Sequence, residues 1–422
     1  MKLMVVGGGG REHAIIKSLK KNPDISEIYA LPGNGGIAGD ATCVPIAPKD
    51  IDGMVRFAKE TEIDFAVVAP DDPLVLGAVD ALEGAGVPCF GPNKAAAAIE
   101  GSKVFSKKLM ERHHIPTAKY QVFTNAKDAI AYLKAENTYP AVIKADGLAL
   151  GKGVIIAETE AQAIEGIRRI MTEKAFGDSG NQVVIEEFLT GPEVSVLSFT
   201  DGKTIVPMVS SMDHKRALDG DKGLNTGGMG AVAPNPFYTE DVAKECMETI
   251  FLPTIRAMET EGRPFKGCLY FGLMLTPNGP RVIEYNCRFG DPETQVVLPL
   301  LESDLFTIMR AVQNGSLDKV DVKFSSGAAC CVVAASGGYP QGYQAGYPIS
   351  FGKAEKTEDI TIFHAGTKRE ADGNVVTSGG RVLGVTATGE TLETARTKAY
   401  GAVKEISFTD MFYRKDIGAR CK

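Results

Sequence analysis

The stretch VIEYNCRFGDPETQ, residues 282 to 295, spaces acidic, amide and basic side chains along a predicted strand. Glu284 and Asn286 are two residues apart, so in an extended strand they project from the same face. Their carboxylate and amide oxygens suit magnesium, which takes its other ligands from water and substrate phosphates. Arg288 falls on the same face and can bind phosphate or stabilise a developing negative charge. The stretch predicts a magnesium and phosphate site; the alternative is an edge strand with polar residues facing solvent.

A second cationic, glycine-rich segment, ADGLALGKGV, spans residues 145 to 154. It is not a P-loop, because Gly147 and Gly151 enclose three residues rather than four, and a glycine rather than Ser or Thr follows Lys152. Lys144 ends the preceding predicted strand and can point into a cleft. Two cations beside a glycine hinge can neutralise the phosphates of ATP and close over them.

Two further polar segments are candidates for ligand contacts. In IEEFLTGPE, residues 185 to 193, backbone groups near Glu186 and Leu189 can bind the edge of an adenine base, and Glu193 can accept ribose hydroxyls. The alternative is a solvated surface pair of glutamates. The segment from 211 to 231 combines Asp213 and Lys215 with the backbone-rich loop NTGGMG and is predicted to be a surface loop.

The glycines at the N-terminus, in GGGGREHA, lie where a strand turns into a helix. Small residues there let backbone amides and the helix dipole approach an anion. A dinucleotide-binding fingerprint would need glycine at His13 and an acidic residue after the second strand, where the chain reads YALPGNGG. The turn therefore favours a small phosphate-bearing substrate over NAD; the alternative is a pair of tight turns without a ligand.

Composition limits the class of protein. The chain has 422 residues, a formal net charge of -7, 44% hydrophobic and 23% charged residues, typical of globular domains. The acidic balance argues against nucleic-acid binding. No apolar run approaches the ~20 residues of a membrane span, and the first residues do not form a signal peptide, so we expect a cytoplasmic protein. The eight cysteines show no CxxC pairing and are interpreted as small apolar residues.

The spacing of apolar runs predicts four domains, with residues 1–118, 119–190, 191–323 and 324–422. The first alternates strands and helices, as in a parallel sheet with ligands at its carboxyl edge. A helix is predicted over 93–112, and the third domain is expected to hold an antiparallel sheet.

The motifs and their order along the chain resemble those of the ATP-grasp superfamily and, within it, of the glycinamide ribonucleotide synthetases. RFGDPETQ at 288–295 is the signature stretch, supported by GGGGREHA at 7–14, KADGLALGKGV at 144–154, NTGGMGA at 225–231 and GGRVLGVTA. The resemblance spans nearly the whole chain. It implies an α/β and α+β multidomain fold with an N-terminal open parallel sheet, a two-module ATP-grasp core and a small C-terminal β-rich domain.

The resemblance also implies a reaction in which ATP, with Mg²⁺ or Mn²⁺, drives the joining of glycine to 5-phosphoribosylamine through glycyl phosphate. It implies a protein that is a monomer or a weak homodimer, without nucleic-acid or membrane partners. Two features depart from the family pattern. The preceding strand, YFGLML, offers no further acidic metal ligand. The chain reads PDDPL where synthetases commonly show Glu-Ala-Pro-Leu after a proline, so Asp71 keeps the negative charge but on a shorter side chain.

The implied site residues fall into four groups. Those at ATP are Lys103, Lys144, Lys152, Glu186, Leu189 and Glu193; those at the metal are Glu284 and Asn286; those at the reacting groups are Arg288, Lys144, Asp213 and Lys215; and those at the substrates are Gly9, Gly10, Arg11, Glu12, His13, Asn34, Gly35, Asp71, Asn225, Thr226, Gly227, Gly228, Arg288 and Asp291.

Two other functions are compatible with parts of this pattern. A bicarbonate-activating ATP-grasp carboxylase would share the cleft, but CRFGDPETQ follows the synthetase pattern. A nucleotide sensor without catalysis should lack one of Lys144, Glu284, Asn286 or Arg288, and all four are present.

Overall fold

The computed structural model describes residues 1–148, 153–357 and 359–419. The N-terminal region is a parallel five-stranded sheet in the order β3-β2-β1-β4-β5, as the alternating pattern predicts. Its strands are β1 Lys2–Gly7, β2 Glu27–Pro32, β3 Thr42–Cys43, β4 Phe65–Val68 and β5 Cys89–Phe90, and its helices are α1 Gly10–Leu19, α2 Ile51–Glu60, α3 Asp71–Leu76 and α4 Ala78–Gly84. The glycine turn after β1 lies at the carboxyl edge of this sheet.

The single helix predicted over 93–112 is wrong, because the structure has two, α5 Lys94–Gly101 and α6 Lys103–Arg112. Ser102 separates them in an extended conformation, and its hydroxyl accepts a hydrogen bond from the amide of Phe105 as the N-cap of α6. Serine side chains compete with helical backbone bonds and favour caps, which explains the break. The break places Lys103 in the first turn of α6.

The next module is an antiparallel sheet in the order β6-β9-β7-β8 with helices on one side. Its elements are β6 Tyr120–Phe123, α7 Ala126–Glu136, β7 Ala141–Ala145, β8 Val154–Ala157, α8 Glu160–Ile167 and β9 Val183–Glu187. Lys144 and Glu186 lie on neighbouring strands, β7 and β9, as the two buried runs in this part of the sequence suggest.

The large module is built on an antiparallel sheet in the order β11-β10-β16-β17, which confirms the sheet predicted for this part of the chain. The elements from 193 to 286 are β10 Glu193–Thr200, β11 Ile205–Pro207, β12 Met212–Asp213, β13 Arg216–Leu218, β14 Lys222–Asn225, β15 Gly230–Ala233, α9 Glu240–Cys246, α10 Leu252–Thr260, β16 Gly267–Thr276 and β17 Gly279–Asn286. The segment 211–231, predicted to be a surface loop, contains the short β13–β14 hairpin. The prediction is wrong at its two ends, because β12 and the start of β15 pair with each other as largely buried strands of a further sheet.

A further antiparallel sheet joins the large module to the C-terminal part of the chain, in the order β12-β15-β18-β22-β19. Its remaining strands and the following elements are α11 Thr294–Val297, α12 Leu305–Asn314, β18 Ala328–Ala335, β19 Ile360–His364, β20 Thr367–Arg369, β21 Val375–Thr377, β22 Arg381–Gly389 and α13 Leu392–Val403. Because β15 pairs with β18, the loop that precedes β15 is held directly against the C-terminal part. The four-domain division itself stays a prediction.

Buried aromatic rings fix the signature segment within the fold. Phe289 is 2% exposed, and its ring centroid lies 5.9 Å from that of Phe90 and 6.1 Å from that of Phe199. Burial of such a side chain contributes about 2–3 kcal/mol. The ring therefore anchors the residues that follow β17 against both the N-terminal sheet and β10.

Among the described residues, no helix combines the length and the hydrophobicity needed to cross a membrane. The seven described cysteines form no disulfide, and all but Cys43 are buried, which agrees with their interpretation as small apolar residues.

Candidate active site

Glu284 and Asn286 lie on β17 opposite Gly272 and Tyr270 of β16. A Cβ atom at Gly272 would lie 3.0 Å from Cγ of Glu284, so the glycine leaves room for this carboxylate. No cluster of three or more His, Cys, Asp or Glu side chains suited to a metal ion occurs in the described parts of the chain. The two oxygen donors therefore fit an ion that takes most of its ligands from water and phosphate, as magnesium does.

Cationic side chains gather around the Glu284 carboxylate. Burial alone raises the pKa of a carboxyl group, but the surrounding positive charges outweigh it and hold the pKa of Glu284 below its ordinary value. These charges come from Lys215, Lys144, Lys103 and Arg288. Lysine and arginine side chains gathered in this way can bind phosphate oxygens, which suits a polyanion such as a nucleotide triphosphate.

Lys144 is fixed by a buried ion-pair network. Its Nζ lies 2.9 Å from Oε1 of Glu186 and donates to the carbonyl of Ile283 at 3.0 Å. Lys107 pairs with the other oxygen of Glu186 at 3.0 Å. Burial, partly offset by Glu186, lowers the pKa of Lys107 to about 8. Glu186 therefore orients two lysines through its side chain, while the predicted contact with a base concerned only backbone groups near it.

The start of α6 is tied to the segment that follows β7. The hydroxyl of Ser102 and the amide of Val104 both donate to Oδ1 of Asp146, at 3.0 and 3.1 Å. Lys103 Nζ donates to the carbonyl of Gly147 at 2.8 Å. These bonds bring Lys103 to the base of the predicted lid loop. Lys152 itself lies outside the described residues, so its predicted contact with phosphate stays a prediction.

The outer edge of this cleft carries Glu193 and Lys215. Lys215 Nζ lies 3.0 Å from Oε2 of Glu193, and both side chains are partly exposed. Leu189 lies in the segment between β9 and β10 and is half-buried. Glu193, Lys215 and Leu189 are therefore all partly accessible, and their contacts with ATP and substrate stay predictions.

Arg288 joins the two halves of the site. Its Nη2 donates to Oδ1 of Asn286 at 3.2 Å and pairs with Glu100 Oε1 at 3.2 Å. Its Nε is buried without a hydrogen-bond partner, so one donor of the guanidinium is unsatisfied within the protein. Burial raises the pKa of Asp71, yet the charges of Arg288 and Arg11 outweigh it and hold that pKa below its ordinary value. Asp71 is therefore an ionised acid beside Arg288, whereas Asp72 pairs with Lys49 at the surface.

Asp213 and the glycine loop that follows β14 lie against each other. A Cβ atom at Gly228 would lie 2.6 Å from Oδ1 of Asp213, and Gly228 has a φ of +112°. This oxygen is buried without a hydrogen-bond partner. Burial and the negative charge of Glu293 raise the pKa of Asp213. A cationic group placed beside this oxygen, such as the ammonium of an amino acid, would stabilise the ionised form of Asp213.

The Thr226 side chain orders part of the same loop. Thr226 accepts a hydrogen bond from the amide of Gly228 at 3.0 Å and donates its hydroxyl to the carbonyl of Lys215 at 2.9 Å. Asn225 ends β14 opposite Arg216. The loop therefore presents a defined backbone surface next to Asp213.

The N-terminal glycine turn contacts the signature segment. Glu12 is buried and accepts the amide of Gly9 at 2.6 Å, and its other oxygen pairs with Arg11 at 2.7 Å. Arg11 also donates to the carbonyl of Phe289 at 3.1 Å. A Cβ atom at Gly10 would lie 2.6 Å from Nε2 of Gln295, so the glycine lets this side chain approach the turn closely. The turn and the residues after β17 thus form one continuous surface.

A cavity of about 370 Å³ opens where this turn meets Asp291 and the C-terminal part. Its lining includes Gly8, Gly9, Gly33, Asn34, Asp291, Tyr339, Thr367, Ser378 and Arg381. The predicted substrate residues Gly9, Asn34 and Asp291 are therefore brought to one cavity.

Three predicted substrate residues make bonds within the protein instead of leaving polar groups free. His13 Nδ1 accepts the amide of His364 at 2.8 Å, and its Nε2 lies 3.0 Å from Asp40. Asn34 donates to the carbonyls of Gly8 and His364. The amide of Gly35 donates to the carbonyl of Thr367 at 3.0 Å. Their binding of substrate stays a prediction, and the geometry shows that they hold the two turns and the C-terminal part together.

The sequence reasoning missed several residues of the site. Lys107 lies four residues after Lys103 on α6, so the helical period could have placed both on one face. Glu100 and Glu293 gave no such signal, because their pairing with Arg288 and Tyr270 crosses long stretches of chain. Arg381 lies in the motif GGRVLGVTA, but only the tertiary structure shows its contact with the glycine loop.

The antiparallel sheets that meet over a cation-rich cleft, preceded by a parallel sheet with a glycine turn, define an ATP-grasp protein. Comparisons with known proteins specify the family. The phosphoribosylglycinamide synthetase models match in order: the N domain over residues 1–100, the ATP-grasp (A) domain over 101–294 and the C domain over 329–420. The chain belongs to the phosphoribosylglycinamide synthetase family, which consists of ATP-dependent ligases.

Relatives of similar length agree with this assignment. The phosphoribosylamine–glycine ligase of Rhodopirellula baltica is 49% identical, covering 98% of this chain and 96% of the relative. That of Vibrio parahaemolyticus is 47% identical, covering 100% and 98%. The crystal structure of the Thermotoga maritima ligase matches with a TM-score of 0.87 and 34% identity, over 99% of this chain and 100% of that one.

A biotin carboxylase domain from Hydrogenobacter thermophilus shares the fold alone, with a TM-score of 0.77 and 15% identity over 98% of this chain and 91% of that one. The family models and the more similar relatives thus favour the synthetase over the carboxylase alternative.

Proposed function

We propose that the protein joins glycine to 5-phosphoribosylamine, using ATP and giving glycinamide ribonucleotide, ADP and phosphate. The observation that carries this proposal is the cation-rich cleft around Glu284, which lies beside the Asp213 loop and is connected through Arg288 to the N-terminal turn. One site for a polyanion and two sites for small polar substrates are what this ligation requires. The reaction belongs to purine biosynthesis.

The chemistry follows from the poor reactivity of a free carboxylate. A carboxylate oxygen of glycine attacks the γ-phosphorus of ATP, the bond to the ADP oxygen breaks, and glycyl phosphate forms. The amine of phosphoribosylamine then attacks the acyl carbon, loses a proton, and phosphate leaves with the electron pair of the carbon–oxygen bond. No enzyme nucleophile takes part, so catalysis consists of positioning and neutralisation of charge.

We assign the nucleotide to the cleft of Lys103, Lys144 and the rim residues Leu189 and Glu193, with Glu186 fixing Lys144. Glu284 and Asn286 would hold the divalent ion, Mg²⁺ or Mn²⁺, which neutralises phosphate charge when bound. Arg288 would stabilise the transferring phosphoryl group through its remaining donor. The predicted cytoplasmic location and the predicted monomer or weak homodimer stay predictions.

Glycine is assigned to Asp213, Lys215 and the loop of residues 225–228. The unpartnered oxygen of Asp213 suits the glycine ammonium, and the positive charge of Lys215 suits its carboxylate. The phosphoribosyl group is assigned to the cavity beside Gly9 and Asp291. This arrangement brings the amine of one substrate towards the acyl group of the other near Arg288.

The proposal is tested by measuring ADP release with ATP and magnesium, with glycine present or absent and phosphoribosylamine generated in place from ribose 5-phosphate and ammonia. ADP formation that requires both substrates, with a product of the mass of their condensation, is the expected result. ADP formation that needs neither substrate, or that occurs only with bicarbonate, would contradict the proposal.

A further inference from the structure

Arg381 connects the C-terminal part of the chain to the glycine loop and the signature segment. It begins β22, and its Nη1 donates to the carbonyl of Gly227 at 2.6 Å and to that of Asp291 at 2.8 Å. Its Nη2 pairs with the Asp291 carboxylate at 3.0 Å. One guanidinium therefore connects the glycine loop to the signature segment.

The loop is shaped to receive this side chain. A Cβ atom at Gly227 would lie 3.0 Å from Cζ of Arg381, so a larger residue would displace the guanidinium. From the other side, the amide of Gly227 donates to the hydroxyl of Tyr339 at 3.0 Å. The amide and the carbonyl of Gly227 are thus both bonded by side chains of the C-terminal part.

Arg381 and Tyr339 also line the cavity of about 370 Å³ that contains Gly8, Gly9 and Asp291. The same side chains that hold the glycine loop therefore form a wall of the adjoining cavity. In the described residues, Arg381 is the group whose hydrogen bonds join the carbonyls of Gly227 and Asp291. A displacement of Arg381 should therefore change the loop and the cavity together.

We propose that Arg381 is a positioning residue that fixes the Gly227–Gly228 turn and Asp291 relative to each other, so that glycine and phosphoribosylamine meet in register. The inference rests on the proposed function. We assign it a positioning role because its Nη1 and Nη2 groups donate to protein acceptors. Among the described residues, its hydrogen bonds and ion pair go to the glycine loop and Asp291 and not to Lys103 or Lys144, so we expect its loss to leave ATP binding unchanged.

The experiment compares the wild-type protein with Arg381→Gln, Arg381→Lys and Tyr339→Phe. As a matched control, Lys398→Gln removes a cation of the same domain, whose ion pair in the described part of the chain is with exposed Asp359. For each variant, kcat and the KM for each substrate are measured, together with the Kd for ATP in the presence of magnesium and the amide hydrogen exchange of residues 225–231.

We expect Arg381→Gln to lower kcat/KM for glycine and for phosphoribosylamine at least tenfold, with the Kd for ATP within twofold of wild type. Exchange in 225–231 should become at least tenfold faster, without a matching change in β18 or α13. Arg381→Lys should recover part of the activity, since it keeps the charge but not the two-armed geometry. Tyr339→Phe should show a smaller loss in the same direction, and Lys398→Gln none.

Wild-type kinetics and unchanged loop exchange in Arg381→Gln would refute the proposal. Faster exchange throughout the C-terminal part, with weaker ATP binding, would also refute it, because Arg381 would then support the fold alone; Arg381→Lys and Tyr339→Phe give this comparison if the glutamine variant does not fold. If the wild-type protein shows no ADP release dependent on glycine and phosphoribosylamine, the proposed function fails, and the exchange data still decide the role of Arg381 in ordering the loop.

Discussion

Replacing Glu284 by glutamine separates the role of this carboxylate in catalysis from its role in nucleotide binding. The amide keeps the size of the side chain and its place opposite Gly272, so we expect the fold to be preserved. It removes the negative charge among four cations and weakens one of the two oxygen ligands assigned to the divalent ion.

The two consequences have opposite signs. A metal ion contributes several kcal/mol to phosphoryl transfer, so its loosened binding should lower kcat at least ~100-fold, about 3 kcal/mol in activation free energy. Two unit charges ~6 Å apart interact by about 3 kcal/mol at an effective dielectric constant of ~20, and solvent screening reduces this to roughly 1 kcal/mol. ATP without divalent metal should therefore bind the variant about fivefold more tightly than the wild type.

The assay combines ADP release under saturating substrates with calorimetric titration of ATP in the presence and absence of magnesium. Glu259→Gln is the matched control, because it removes an exposed carboxylate near the end of α10 in the same module. A kcat within threefold of wild type would refute the assignment of Glu284 to the metal. Weaker binding of metal-free ATP would refute the argument that Glu284 opposes the phosphates.

Three further perturbations test other parts of the structure. Burial lowers the pKa of Lys107 to about 8. Between pH 8 and 10.5 the unfolded chain therefore binds more protons than the folded one, so the free energy of unfolding should rise with pH. In denaturant titrations, Lys107→Met should remove this rise. Gly228→Ala places a Cβ atom 2.6 Å from Asp213 Oδ1 at a φ of +112°. This change should lower the free energy of unfolding by about 2 kcal/mol and raise the KM for glycine at least tenfold. An unchanged KM would contradict the glycine assignment. Burial lowers the pKa of His214 to about 4 and of His364 to about 3. The free energy of unfolding is therefore highest above pH 6.5 and should fall on acidification, by roughly 2 kcal/mol per histidine at pH 5. A flat urea-unfolding profile from pH 7 to 5, or the same slope in His214→Gln, would contradict this.

Much of the architecture was accessible from local patterns. The runs KLMVV, EIYAL and FAVVAP became β1, β2 and β4, because continuous apolar runs between glycine and proline turns suit buried parallel strands. The single helix over 93–112 was wrong, since a serine within a helical pattern can act as a cap, and its choice depends on the neighbouring Asp146. The two-residue strand β3 was missed, because so short a segment has no detectable period.

The sequence by itself determined which residue types are available for chemistry and the local elements that carry them. Glu284 and Asn286 share a strand face because the period of two in a strand is a local property. The motif order also sufficed to indicate the family, as the matching family models confirm.

Only the tertiary structure decided which of these groups remain free to meet a ligand. His13 and Asn34 carry suitable chemistry, yet their polar atoms bond to Asp40, Gly8 and the backbone of His364. Arg381 bonds to Gly227, which lies 154 residues earlier in the chain, and no local period encodes such a contact. The physical reason is that charge, burial and hydrogen-bond satisfaction depend on groups brought together from distant segments, so they are properties of the packed molecule.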